Sequence, residues 1–180
     1  NPLRTTRANR ALARFMTPFE MPANLRHLLY IRQAWRLDVL PEIPPLAPVP
    51  ELGQSDRPTM ANPERAWLSI WQEALAQKAK DPALFYDWRA LYGIAGTDRA
   101  AFTTWSIAVR EGCQRNLLAM NNIVKDGIMR ARSKDVADRG IETVLLLPLA
   151  EHFAQRPFAT LLVVAEKTVA QTSLWRAALH

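Results

Sequence analysis

The chain concentrates its positive charge near its start, where side chains that bind anions recur. Residues 1–37 contain one acid, Glu20, against seven arginines. The remaining residues hold 16 basic and 16 acidic side chains, so the net charge of +6 belongs to this stretch, which we call the arginine segment. Such an asymmetry predicts an anionic partner. The candidate binding residues are Arg4, Arg7, Arg10, Arg14, Arg26, Arg32 and Arg36. The alternative is an ordinary charged face, solvated or paired within the chain.

A second polar group, formed by Glu151, His152 and Arg156, follows a predicted strand. The carboxyl ends of strands commonly hold ligand sites, and these three residue types can transfer protons or hold an anion. They are the catalytic candidates if the chain is a small enzyme. The simpler interpretation is the polar start of a surface helix.

No local motif supports metal, nucleotide or covalent chemistry. The sequence contains no phosphate loop, dinucleotide fingerprint, nucleophile elbow, zinc spacing or calcium loop. The three histidines lie far apart, and Cys113, the single cysteine, has the flanks of a small buried side chain. We therefore expect no metal site and no cofactor, and no motif is specific to one protein family.

The elements that must position these residues are mostly helical. Apolar residues at helical spacing predict helices at residues 1–16 and 24–35. Residues 40–63 contain seven prolines, which exclude a helix or a central strand and predict an extended connector lying along a surface. Asn62 and Pro63 predict the start of a helix that ends near Lys80.

The C-terminal third changes character. A long helix begins after Thr97 or Asp98, and a charged one covers residues 122–138. Continuous apolar runs at residues 143–149 and 160–165 predict two strands covered on both faces, joined by a short segment at 151–155. A final helix follows. Four tryptophans on apolar helix stripes should be buried: Trp67, Trp71, Trp105 and Trp175.

These patterns predict a predominantly helical α+β fold. We expect a basic helical arm at residues 1–39 and a proline-rich connector at 40–61. The main helix-rich α+β domain with a small C-terminal sheet then covers 62–180.

The function favoured by the sequence is a non-enzymatic binding or assembly protein that docks on an anionic or protein partner through its arginine segment. The alternatives are a small enzyme with a site at Glu151, His152 and Arg156, and a structural subunit of a larger complex. A protein partner or a homo-oligomer is expected, with nucleic acid as the other anionic choice. The longest apolar run, at residues 144–150, is far below the roughly 20 residues that span a bilayer. We therefore expect no membrane span and a cytoplasmic location, which a single cysteine also fits.

Overall fold

The computed structural model describes residues 19–57, 59–81, 96–123 and 128–180. The predicted helix at residues 1–16 lies outside these ranges. The described helices are α1 (Ala23–Ala34), α2 (Pro63–Lys80), α3 (Arg99–Ile123), α4 (Ile128–Ala137), α5 (Glu166–Ala170) and α6 (Thr172–Ala178). The strands are β1 (Phe19–Glu20), β2 (Thr143–Leu147), β3 (Ala154–Phe158) and β4 (Leu161–Ala165). The predicted helix-rich α+β fold with a small C-terminal sheet is confirmed.

The sheet has the strand order β1-β2-β4-β3. β2 is parallel to both β1 and β4, whereas β3 and β4 form an antiparallel hairpin. The expectation that residues 151–155 only join two strands is wrong, because β3 begins at Ala154. No residue of this strand is fully buried, and it contains Pro157, which an edge strand tolerates because one side of its backbone needs no partner. The pairing is irregular between Gln155 and Phe158, on either side of that proline.

The two central strands, β2 and β4, are buried at every position, as their apolar runs predict. Alternate residues point to opposite faces, and each face has its own core. Leu145, Leu147 and Val163 pack with residues of α1, α2 and α3. Val144, Leu146 and Val164 pack with residues of α4, α5 and α6. Helices therefore cover both faces of the sheet.

Helix α1 belongs to the core beside the sheet. Its residues Leu25, Leu28 and Leu29 are almost fully buried in the same cluster as Trp67 of α2. The Trp67 indole also donates a hydrogen bond of 2.7 Å to the Leu28 carbonyl. The helix that the described part of the arginine segment forms, α1, is thus a core helix. The division of the chain at residues 39 and 61 into separate domains stays a prediction.

The proline-rich connector lies against the folded body. Ile43 and Leu46 are buried, and Leu46 forms a bridge with Leu149 just beyond β2. Side chains of the flanking helices satisfy its carbonyl groups: Trp105 donates to Pro48 at 2.8 Å, and Tyr30 donates to Glu51 at 3.2 Å. The prolines prevent a regular helix or sheet in this segment. Side-chain donors therefore satisfy carbonyl groups that secondary structure would otherwise pair.

The long helix α3 begins at a well-formed N-cap. Asp98, one of the two predicted caps, accepts a hydrogen bond of 3.0 Å from the Ala101 amide. Its other oxygen accepts one of 3.0 Å from the Gln54 amide in the connector. These bonds to the ionised form, first that from Ala101, lower the pKa of the Asp98 carboxyl. The cap therefore joins the connector to the start of α3.

Gly53 and Gly140 form a matched pair that tests this junction. Both have positive φ, of 55° and 68°, which a side chain adopts at a cost of about 1–2 kcal/mol. A Cβ at Gly53 would lie 2.3 Å from a carboxylate oxygen of Asp98, whereas one at Gly140 would meet nothing within 4 Å. We expect Gly53→Ala to lower the free energy of unfolding more than Gly140→Ala, as measured by urea denaturation. Equal losses would contradict the tight approach of the connector to the cap.

Candidate anion-binding site

An aromatic cluster fixes α1 against α3. The His27 imidazole stacks on Phe102 with ring centroids 3.8 Å apart, and Tyr30 meets the same ring edge-on at 5.2 Å. Tyr30 also contacts Trp105, one turn further along α3, at 5.6 Å. Contacts of this kind add to apolar burial and prefer defined ring geometries. They fix the position of neighbouring polar side chains on the two helices.

A pocket of about 120 Å³ lies beside this cluster. Arg26 of α1 forms one side of the pocket. Side chains of α3 form the rest: Phe102, Thr103, Ser106, Ile107 and Arg110. Two guanidinium groups, two hydroxyls and two apolar side chains therefore surround one small space.

Arg26 is the unusual member of this pocket. It is only 6% exposed, and its Nε atom has no hydrogen-bond partner among the described residues. No described carboxylate forms an ion pair with Arg26 or Arg110. Burial, followed by the like charge of Arg110, lowers the pKa of the Arg26 guanidinium. Burying a polar group without a partner is costly, so the Arg26 Nε–H group destabilises the fold as it stands in the described residues.

Arg132 shows how the same fold treats a structural arginine. It too is 6% exposed, but its guanidinium donates to the Thr172 hydroxyl at 3.0 Å and lies 3.6 Å from the Asp135 carboxylate. It also lies over the Trp175 ring at 5.5 Å from the centroid. Burial alone therefore does not explain the lack of partners at Arg26.

The other predicted binding arginines fall into three groups. Arg4, Arg7, Arg10 and Arg14 lie outside the described part of the chain. Arg32 donates two hydrogen bonds of 3.0 Å to the Ile43 carbonyl, and these bonds hold the connector against α1. Arg36 is exposed just beyond α1. Among the described arginines of the segment, Arg26 is therefore the one that lines the pocket between α1 and α3.

The catalytic candidates of the alternative enzyme hypothesis have separate contacts. His152 is exposed, and its Nδ1 lies 2.8 Å from the buried Thr168 hydroxyl. Arg156 donates to the carbonyls of Ala159 at 3.1 Å and Arg139 at 3.0 Å, which closes the β3–β4 hairpin. Within the described ranges, no hydrogen bond or ion pair joins His152 or Arg156 to the exposed Glu151. The enzyme alternative at these three residues stays a prediction.

Cys113 lies one turn beyond Val109 on α3 and is buried. Burial raises the pKa of its thiol to about 12, and the negative charge of Glu166 adds to this shift. The thiol is therefore protonated at neutral pH, which disfavours a nucleophile. The predicted small buried side chain is confirmed.

The described residues contain no group of three or more histidine, cysteine, aspartate or glutamate side chains that could hold a metal ion. Among their helices, none has the length and apolar character needed to cross a membrane.

Comparison with protein-family models, with curated proteins and with solved structures finds no match for this chain. The geometry of its own side chains is therefore the basis for assigning a function.

The sequence pointed to Arg26 but not to its neighbours on α3. Thr103, Ser106 and Arg110 recur at spacings of three and four, which places them on one helix face. This spacing was the only sequence signal for the pocket. The spacing alone does not indicate a site, because it does not show that α1 packs on the same face of α3.

Substituting the two buried arginines tests this interpretation of Arg26. Arg26→Met should raise the free energy of unfolding by about 1 kcal/mol, because methionine packs like the arginine stem and removes an unsatisfied buried group. Arg132→Met should lower it by about 2 kcal/mol, because Asp135 and Thr172 lose a charged partner. Urea denaturation measures both. Equal losses in the two variants would mean that Arg26 is a structural residue.

Proposed function

We propose that this chain is a non-enzymatic binding protein that docks on an anionic partner through its arginine segment, with Arg26 as the buried contact. The observation that carries this proposal is a guanidinium that is 6% exposed, lacks a partner at Nε among the described residues, and lines a pocket. A protein partner is the favoured class, with nucleic acid as the alternative.

The charge distribution supports the same proposal. The arginine segment has seven arginines, and its one acid, Glu20, forms an ion pair with Lys78 of α2. This carboxylate therefore neutralises a lysine of the main body. The excess positive charge of the segment stays available to steer an anionic partner towards the Arg26 pocket.

Stability and binding are opposed at this position, which is typical of functional sites. A guanidinium without a partner destabilises the folded chain, whereas a bound anion would satisfy it. A ligand that binds only the folded state stabilises the fold in proportion to its concentration. The pocket therefore has a physical reason to bind an anion.

A charge-matched pair of variants tests docking through the arginine segment. One variant replaces Arg4, Arg7, Arg10 and Arg14 by glutamine, and the control replaces the exposed Arg65, Arg99, Arg115 and Arg176. Both lose four charges. We expect the first variant to elute from immobilised poly-glutamate at clearly lower salt than the control, because the charges it loses belong to the arginine segment.

Duplex DNA in place of poly-glutamate separates the two partner classes. A steep fall of affinity with salt would indicate nucleic acid, since each neutralised phosphate releases counterions. Equal elution of the two variants from both matrices would show that only net charge matters, and would contradict the proposal.

A further inference from the structure

We infer that the pocket between α1 and α3 binds a phosphate monoester, the group that a phosphorylated side chain of a protein partner presents. This inference rests on the proposed function, because it names the chemical group that Arg26 receives. The charge, the hydrogen-bond donors and the size of the pocket each favour this group.

The charge of the pocket calls for a dianion. Arg26 and Arg110 bring two positive charges, and neither forms an ion pair with a described carboxylate. A carboxylate or a phosphodiester carries one negative charge and would pair with only one of the two guanidinium groups, the buried Arg26 or the exposed Arg110. A phosphate monoester carries about 1.5 to 2 negative charges at neutral pH, which matches the pair.

The donors approach from two helices. Arg26 lies on α1, whereas Arg110 and the Ser106 hydroxyl lie on α3, so donors surround the space on more than one side. A planar carboxylate is satisfied by a single guanidinium fork. A monoester offers three free oxygens in a tetrahedral arrangement and can accept from both arginines. The Thr103 hydroxyl already donates to the Arg99 carbonyl at 2.8 Å, so Arg26, Arg110 and Ser106 are the donors to the anion.

The size and walls of the pocket fit this group. Its volume of about 120 Å³ leaves room for a small tetrahedral anion. Phe102 and Ile107 supply apolar walls, and ion pairing is stronger where water is displaced. Ile107 is also 43% exposed, so it offers an apolar contact to the residues that flank a phosphorylated side chain.

Isothermal titration of the full chain with three small anions tests the ligand class. The probes are methyl phosphate, dimethyl phosphate and acetate, at constant ionic strength and above pH ~7.5, where the monoester is a dianion. We expect methyl phosphate to bind at one site per chain, about tenfold or more tighter than either monoanion. Equal affinities, all lost in Arg26→Met, would overturn the monoester and leave the proposed anion site intact. A chain that binds none of the three would overturn the pocket as a site, while the matrix experiment would still judge docking by the arginine segment.

Variants assign the binding to the pocket. Arg26→Met and Arg110→Gln should each weaken methyl phosphate binding by about tenfold or more, whereas Arg115→Gln on the same helix should change it by less than about twofold. Arg26→Lys keeps the charge but loses the planar fork, so it should bind more weakly than the wild type. If Arg26→Met keeps the circular dichroism of the wild-type chain and binds methyl phosphate with unchanged affinity, the inference is overturned.

A phosphoserine peptide with neutral apolar flanks distinguishes the source of the phosphate. We expect it to bind about tenfold tighter than methyl phosphate, and Ile107→Ser to weaken the peptide by a larger factor than methyl phosphate. Equal affinities for the peptide and methyl phosphate would overturn the assignment to a protein partner and indicate a small monoester instead.

Discussion

The burial of β2 and β4 on both faces is the constraint on which the rest of the structure depends. Two strands that are buried at every position require a helical layer on each side. Helices α4 to α6 cover one face, and α1 to α3 contribute to the core on the other. Because α1 is needed in that core, a helix from the most basic part of the chain enters the interior. Arg26 is carried inside with it, next to Leu25 and Leu28.

The fold provides different surroundings for the partly buried Arg32 and for the buried Arg132 and Arg26. Arg32 is satisfied by the connector carbonyl of Ile43, and Arg132 by Thr172 and Asp135. Arg26 instead faces a pocket whose shape is maintained by the stacking of His27 on Phe102 and of Tyr30 against both Phe102 and Trp105. The aromatic contacts stabilise the α1–α3 packing independently of the charge, so the fold tolerates an unsatisfied Nε–H group at Arg26. The two helices thereby place Arg26 and Arg110 beside the same pocket.

Much of this fold could be predicted from local patterns, because those patterns report burial directly. The apolar runs gave β2 and β4, and the cap at Asp98 gave the start of α3. β3 was missed because an edge strand needs neither continuous apolar residues nor a full set of amide donors. The site was only half visible: the charge asymmetry indicated Arg26 among seven arginines, but its partners Ser106 and Arg110 lie about 80 residues further along the chain. Their meeting depends on helix packing, which sequence periodicity does not encode.

The most direct measurement observes the Nε–H group of Arg26 itself. Nitrogen-15 NMR spectra of the arginine side chains, recorded during a titration with methyl phosphate, report each guanidinium separately. The account predicts a saturable shift of the Arg26 Nε–H resonance as a hydrogen bond forms to the anion, and an unchanged Arg132 resonance, because that group already has its partners. An Arg26 resonance that stays fixed, or that moves only in step with Arg132 as ionic strength changes, would contradict the claim that this buried arginine is held ready for an anion.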